Sequence, residues 1–302
     1  MIHLVLNPEF KISDILTAFS IFAGIVVTLY VGSGIIQQRE YADRIRRSAT
    51  EVIIKLERWK ELNLHFFKEL QKEIEERTAG VYLGEEKKDE IRDIIWTRSS
   101  DLRADILEKV IDEQIHHAYK DLYLYDPNIE KFFDNVISQL SYIELKIYQN
   151  LLNNLQNDIW EINETNDEQA LKNRMTLTAN LMAYAYEDLI NESLKPIRHE
   201  LNKVIQAPDR TLFKKKTSFK NCIIVPEIQR LTIQGLEHSL VGEYANADQK
   251  YDEALKLVDF KLPGLWGLRY MSQRDGNNED AENSFKRFMD LIRLGDYSGW
   301  AA

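Results

Sequence analysis

Six histidines, one cysteine and 49 carboxylates are the side chains of this chain that could ligate a metal or carry out acid–base and nucleophilic chemistry. His116 and His117 are adjacent, so on a helix they point about 100° apart and do not converge on one ion. Asp112 with His116, and Glu113 with His117, stand four residues apart, which is also the spacing of ordinary helix-surface pairs. His199-Glu200 lacks the second histidine of a zinc-protease helix. Cys222 has no CxxC partner and no neighbouring histidine. A buried thiol is its expected role, and no intramolecular disulfide can form. There is no nucleophile-elbow serine, kinase signature or glycine-rich phosphate loop. The carboxylates are spread as solvated charge would be. The residues therefore predict a non-enzyme, with no catalytic, cofactor-binding or metal-binding set.

What remains is to read the elements. The formal net charge of −10 argues against a general nucleic-acid binder, because phosphate contacts need a basic surface. Only 12 glycines and 6 prolines punctuate 302 residues, which favours long helices over many short strands. An all-α fold is expected.

Residues Ile15 to Gln38 contain no charged side chain and no histidine. At about 1.5 Å per residue a helix of this run covers the roughly 30 Å hydrocarbon core of a bilayer. Its apolar core exceeds that of a cleaved signal peptide and no A-x-A site follows, so a retained anchor is expected. Lys11 is the only basic side chain before it, whereas Arg39, Arg44, Arg46, Arg47, Lys55, Arg58 and Lys60 follow it. Positive charge resists translocation, which places the N-terminus outside and the body in the cytoplasm, at the cell (inner) membrane. Ser20, Gly24, Thr28 and Gly32 recur every four residues and form a stripe of small side chains, a surface for helix packing in lipid.

Beyond the anchor, Ile45, Val52, Trp59 and Phe66 recur every seven residues, with Ala49, Leu56, Asn63 and Leu70 as companions. This is the spacing of a coiled-coil seam, and Asn63 could fix its register. Ile53, Leu62, Leu64 and Phe67 widen the apolar face, which suits a helix packed in an intramolecular bundle. Both pairings stay open here, and the second copy of the chain is one expected partner through the transmembrane and juxtamembrane helices. A helix over 85–123 is predicted next. Asp126-Pro127-Asn128 then breaks the pattern before helices over 129–161 and 168–206, with Pro196 expected to kink the latter. Lys214, Lys215, Lys216 and Lys220 form a basic loop, read as solvated in preference to lipid-bound. The expected organisation is a tail (1–14), the transmembrane helix (15–38), a juxtamembrane helix (39–80), a helical bundle (81–225) and a repeat region (226–302).

The repeat region matches itself at an offset of 34 residues. Leu231 aligns with Leu265, Gly242 with Gly276, Ala247 with Ala281, Tyr251 with Phe285, Leu255 with Met289 and Leu257 with Leu291. A fixed offset of this size marks stacked helical hairpins. With Gly235 as the close-packing glycine, Gly242 and Tyr244 in the turn, and Ala247, Tyr251 and Ala254 at the helix contact, the region resembles the tetratricopeptide repeat. The match spans about 228–295. It departs at His238 and Ser272, where the family has tyrosine, and at Arg269 and Phe288 in the second unit. Two units are fewer than a stable stack needs, so an earlier helix, the one ending near Gln206, must supply a packing partner. The resemblance implies protein binding. Together with the anchor it leads to the expectation of a membrane-anchored scaffold or adaptor. The competing expectation is a membrane effector or signalling subunit, such as one of bacterial phage defence, that assembles through its anchor.

Overall fold

The computed structural model describes residues 12–78, 116–161, 168–209 and 227–294, with the isolated positions 89, 93, 96, 97 and 212. Among the described residues there are eight α-helices and no strands. The expected helix over 85–123 is described only at its end. Asp112, Glu113, the lysines of 214–220 and Cys222 lie outside the described residues.

Helix α1, Ile12–Thr78, is a single run of 67 residues. It is long and apolar enough to cross a membrane by length and composition. Its first part exposes Phe19, Phe22, Leu29, Tyr30 and Ile36. From Ala42 onward the same helix enters the interior: Ile45, Ala49, Val52, Leu56, Trp59, Asn63, Phe66 and Leu70 are all buried. The seven-residue seam is therefore closed within the chain. It packs on helix α2, His116–Tyr125, and above all on helix α4, Glu168–Gln206. A wide apolar face buries more area in a bundle than in a two-stranded seam. Asn63 is buried and donates to the Trp59 carbonyl of its own helix at 3.1 Å.

Helices α1 and α4 run antiparallel. Arg46 meets Asp209, Glu57 meets Arg198, and Lys60 meets Asn191. At the end of α4, Arg46 Nη2 donates to the Ala207 carbonyl at 2.8 Å and to Asp209 Oδ1 at 2.5 Å. A guanidinium there satisfies a terminal carbonyl and complements the helix dipole. Helix α3, Ile129–Glu161, starts where the sequence breaks. Asp126 Oδ1 accepts the Asn128 N–H and side-chain amide, each at 2.9 Å, and Asp126 is fully buried. Helix α4 stays helical through Pro196. The C-terminal region is two hairpins, α5 (Glu227–Leu240) with α6 (Tyr244–Leu257), and α7 (Pro263–Asp275) with α8 (Ala281–Leu294).

Candidate interaction site

The two hairpins are equivalent, but not at 34 residues. In α5 the buried positions are Ile228, Gln229, Leu231, Thr232, Gly235 and Leu236. In α7 they include Gly264, Leu265, Gly267, Leu268, Met271 and Ser272, the same pattern 36 residues on (264 less 228). In the second helices Ala247 and Tyr251 correspond to Ser284 and Phe288, 37 residues on (288 less 251). Helix α7 is one residue shorter than α5 and its turn, 276–280, is two longer than 241–243, which adds one residue. Matching letters at 34 slides α8 by nearly one turn and so returns the right face with the wrong side chains.

The positions expected from the 34-residue match are corrected accordingly. Gly276 ends α7, Ala281 is the half-buried first residue of α8, and Phe285 is half-buried with its ring 5.0 Å from Tyr270. The buried aromatic of the second hairpin is Phe288, 5.4 Å from the Tyr184 ring of α4. Ala247, Tyr251 and Ala254 are fully buried, and a Cβ on Gly235 would run into the Tyr251 ring. Gly242 takes the left-handed turn at φ +77°, a conformation other residues adopt at a cost. Tyr244 is not in the turn. It opens α6, and its carbonyl accepts the Ser272 hydroxyl at 2.8 Å. Arg269, where the first unit has Gly235 in the letter match, holds α7 to α6 through Asp248 and Asp252, both at 2.8 Å.

The outer face of α5 and α7 is not open. Helices α3 and α4 lie on it. Asp188 Oδ2 of α4 accepts the Gly264 N–H, and a Cβ on Gly264 would stand 2.5 Å from the Tyr184 carbonyl oxygen. One on Gly267 would stand 2.9 Å from Leu181 Cδ2. Ser193 Oγ donates to Gln229 Oε1 at 3.1 Å, and Asn150 Nδ2 to the Leu236 carbonyl at 3.1 Å. Fully buried Asp158 of α3 adds a charged knot. It receives Arg174 Nε at 2.6 Å and Thr178 Oγ1 at 2.5 Å, with Arg274 Nη2 of α7 at 3.3 Å. The packing partner expected near Gln206 is therefore α4, which packs on α7 and touches α5. Sequence reasoning missed Asp188 and Phe288. Gly264 and Gly267, three apart on one helix face, were the legible sign of close packing there.

Among the described residues, two open grooves lie on this layer. One, of about 520 Å³, lies between α3 and α5 and includes Gln139, Gln229, Ile233 and Gln234. The other, of about 560 Å³, lies between α7 and α8 and includes Trp266, Arg269, Lys286 and Arg287.

On the apolar part of α1, Ser20, Gly24, Thr28 and Gly32 stand along exposed helix. Ser20 Oγ donates to the Thr17 carbonyl at 2.8 Å and Thr28 Oγ1 to the Gly24 carbonyl at 2.7 Å. Both hydroxyls are thus satisfied by their own backbone, and a Cβ on Gly24 or Gly32 would meet nothing within 4 Å. Among the described residues no three His, Cys, Asp or Glu side chains gather as a metal site. His199 is exposed on α4. At Asp188 burial pushes the carboxyl up to about 8, against the pull of the Gly264 N–H.

No family model matches the chain, and neither the curated proteins nor the solved structures contain a match.

Proposed function

We propose that this chain is a membrane-anchored scaffold that holds a protein partner against the inner membrane. The observation that carries the reading is the continuity of α1, which leaves an exposed apolar shaft and becomes the buried spine of the body without a break. A body so joined keeps a fixed height and orientation above the lipid, which is what a tether requires. The basic side chains after Gln38 support an N-terminus outside and a cytoplasmic body. The tetratricopeptide-like hairpins would carry the contact, through surfaces that α4 leaves open. The test is affinity purification of the full-length chain from membranes, beside a Gly264→Trp variant that undocks the second hairpin. A partner recovered with the native chain and lost with the variant, while both remain in the membrane fraction, supports the scaffold. If the native chain recovers nothing beyond a bare anchor control, the reading fails.

A second reading is favoured by the same continuity together with the bare small-residue stripe. Rigid coupling would let assembly of several anchors respond to the body, as in a membrane effector or signalling subunit. Induced expression with a membrane-impermeant dye separates the two. Leakage abolished by Gly24→Leu with Gly32→Leu supports the effector, and intact membranes support the scaffold.

A further inference from the structure

We infer that the turn between α2 and α3, Asp126 to Asn128, rests in the headgroup layer of the bilayer that α1 crosses, so that the body touches lipid at a second point. This rests on the membrane-anchored reading and adds a contact to it. Helix α2 runs back along α1 toward the apolar shaft. Ser48 Oγ donates to the Ala118 carbonyl, and Arg44 Nη2 donates to Asp121 Oδ1 at 2.7 Å. Four residues back along α1 thus correspond to three forward along α2, as antiparallel helices in step require. From Ala118 the helix runs seven residues further to Tyr125 (125 less 118), which brings its end level with Tyr41 (48 less 7). Helix α3 then leads away from the shaft, and its Phe133 ring stacks on that of Tyr119 at 5.0 Å. The two helices therefore form a hairpin whose tip points at the exposed apolar part of α1.

The height of the tip follows from the rise of a helix. Ile36, 59% exposed, is the last apolar residue of the shaft before the polar run Gln37 to Glu40. Tyr41 stands five residues beyond it (41 less 36), about 7.5 Å along the helix. The tip continues past Tyr125 toward the shaft, and the headgroup layer of one leaflet is about 5–7 Å deep. Pro127 at the tip is exposed, and Tyr123 on the last turn of α2 is 47% exposed. Tyrosine favours the membrane–water interface, where its ring meets apolar surface and its hydroxyl stays wet. Arg39 and Lys131 are exposed at the same end. Both sit on helices that lead away from the shaft, so their side chains lean back toward the lipid phosphates. Glu40 and Glu130 are exposed beside them, so the contact calls for phosphate headgroups of any net charge. Two supports, shaft and turn, hold the body's tilt where a shaft alone would let it rock.

The experiment places a fluorophore on single cysteines of the full-length chain, with Cys222→Ser as background, in phosphatidylcholine nanodiscs. The quencher is a nitroxide on the lipid headgroup. The label of Pro127→Cys should be quenched at least about twofold more than that of Ile54→Cys, which is also exposed but stands about 27 Å beyond Ile36. Tyr123→Cys, one turn higher than the tip, should be quenched to an intermediate degree, and it decides the matter if Pro127→Cys does not fold. Tyr30→Cys, read with a nitroxide on the acyl chain, reports the anchor itself. Labels at 127 and 123 no more quenched than that at 54, with the label at 30 quenched, overturn the lipid contact and leave the anchor standing. A label at 127 shielded from aqueous iodide yet not quenched by lipid means that a protein covers the turn, and also overturns it. No quenching at 30 overturns the anchor and this inference together.

Discussion

Asp188 on α4 caps α7 from outside that helix, its Oδ2 accepting the Gly264 N–H at 2.6 Å. The residue before α7, Leu262, offers no side-chain cap of its own. A helix start buried against a neighbour must find acceptors for its free N–H groups, and here the neighbour supplies one. The absent Cβ of Gly264 is what lets the two backbones come close enough.

This contact predicts a pH dependence. The Asp188 carboxyl is raised from an ordinary 3.8 to about 8 in the fold by burial. Between those values the native state holds more protons than the unfolded one, so stability falls as pH rises. The contribution is full below about 4, declines toward 8 and is level above it. Denaturant melts of the micelle-solubilised chain at pH 5 and pH 8.5 should show this loss. Asp188→Asn keeps an acceptor without the titration, and its loss over that interval should be smaller. Asp188→Ala should cost about 1–3 kcal/mol at pH 5, by stranding the buried N–H. An unchanged slope in Asp188→Asn would count against the assignment.

Glycines of one type should differ by place. Gly264→Ala puts a methyl 2.5 Å from a backbone oxygen, and overpacking of this kind costs about 1–3 kcal/mol. Gly24→Ala has nothing within 4 Å to meet, so the body's unfolding midpoint should not move. Chemical denaturation followed by tryptophan fluorescence measures both.

The corrected register predicts which phenylalanine matters. Phe288 is 2% exposed while Phe285 is half-buried. Phe288→Ala should cost about 3–5 kcal/mol, and Phe285→Ala clearly less. The reverse order, read from urea midpoints, would restore the 34-residue alignment.

Closure of the α1 seam predicts where chains can touch. With Cys222→Ser as background, Val52→Cys should resist both maleimide and inter-chain disulfide formation, because Val52 is fully buried. Ile54→Cys, 58% exposed, should label readily. Efficient inter-chain cross-linking at position 52 would show a coiled coil in place of the bundle.

Much of the local structure was legible in the chain. The uncharged run announces an exposed apolar helix, because lipid-compatible length needs only residue type and count. Asp126-Pro127-Asn128 marks the start of α3, and Ala207-Pro208 the end of α4, because capping and proline act within a few residues. Gly242 announces its turn for the same reason. The hairpin register was misread because identities at 34 residues kept a plausible face. The second hairpin begins 36 residues after the first and a longer turn before α8 adds one more, which shifts the side chains that reach the core, and connection length is not visible in a matched pattern.

The sequence by itself determined helix type, the apolar shaft and the amphipathic faces, since these depend on neighbours within about two turns. Only the tertiary structure decided what covers each face. The seven-residue seam suits a second copy or an internal partner equally well by pattern. It went to α4 because the same chain holds that helix close at hand. Likewise the outer face of α5 and α7 could have stayed open to a partner. Asp188, Tyr184 and Leu181 close it, through contacts between residues 76 to 86 positions apart that no local spacing encodes.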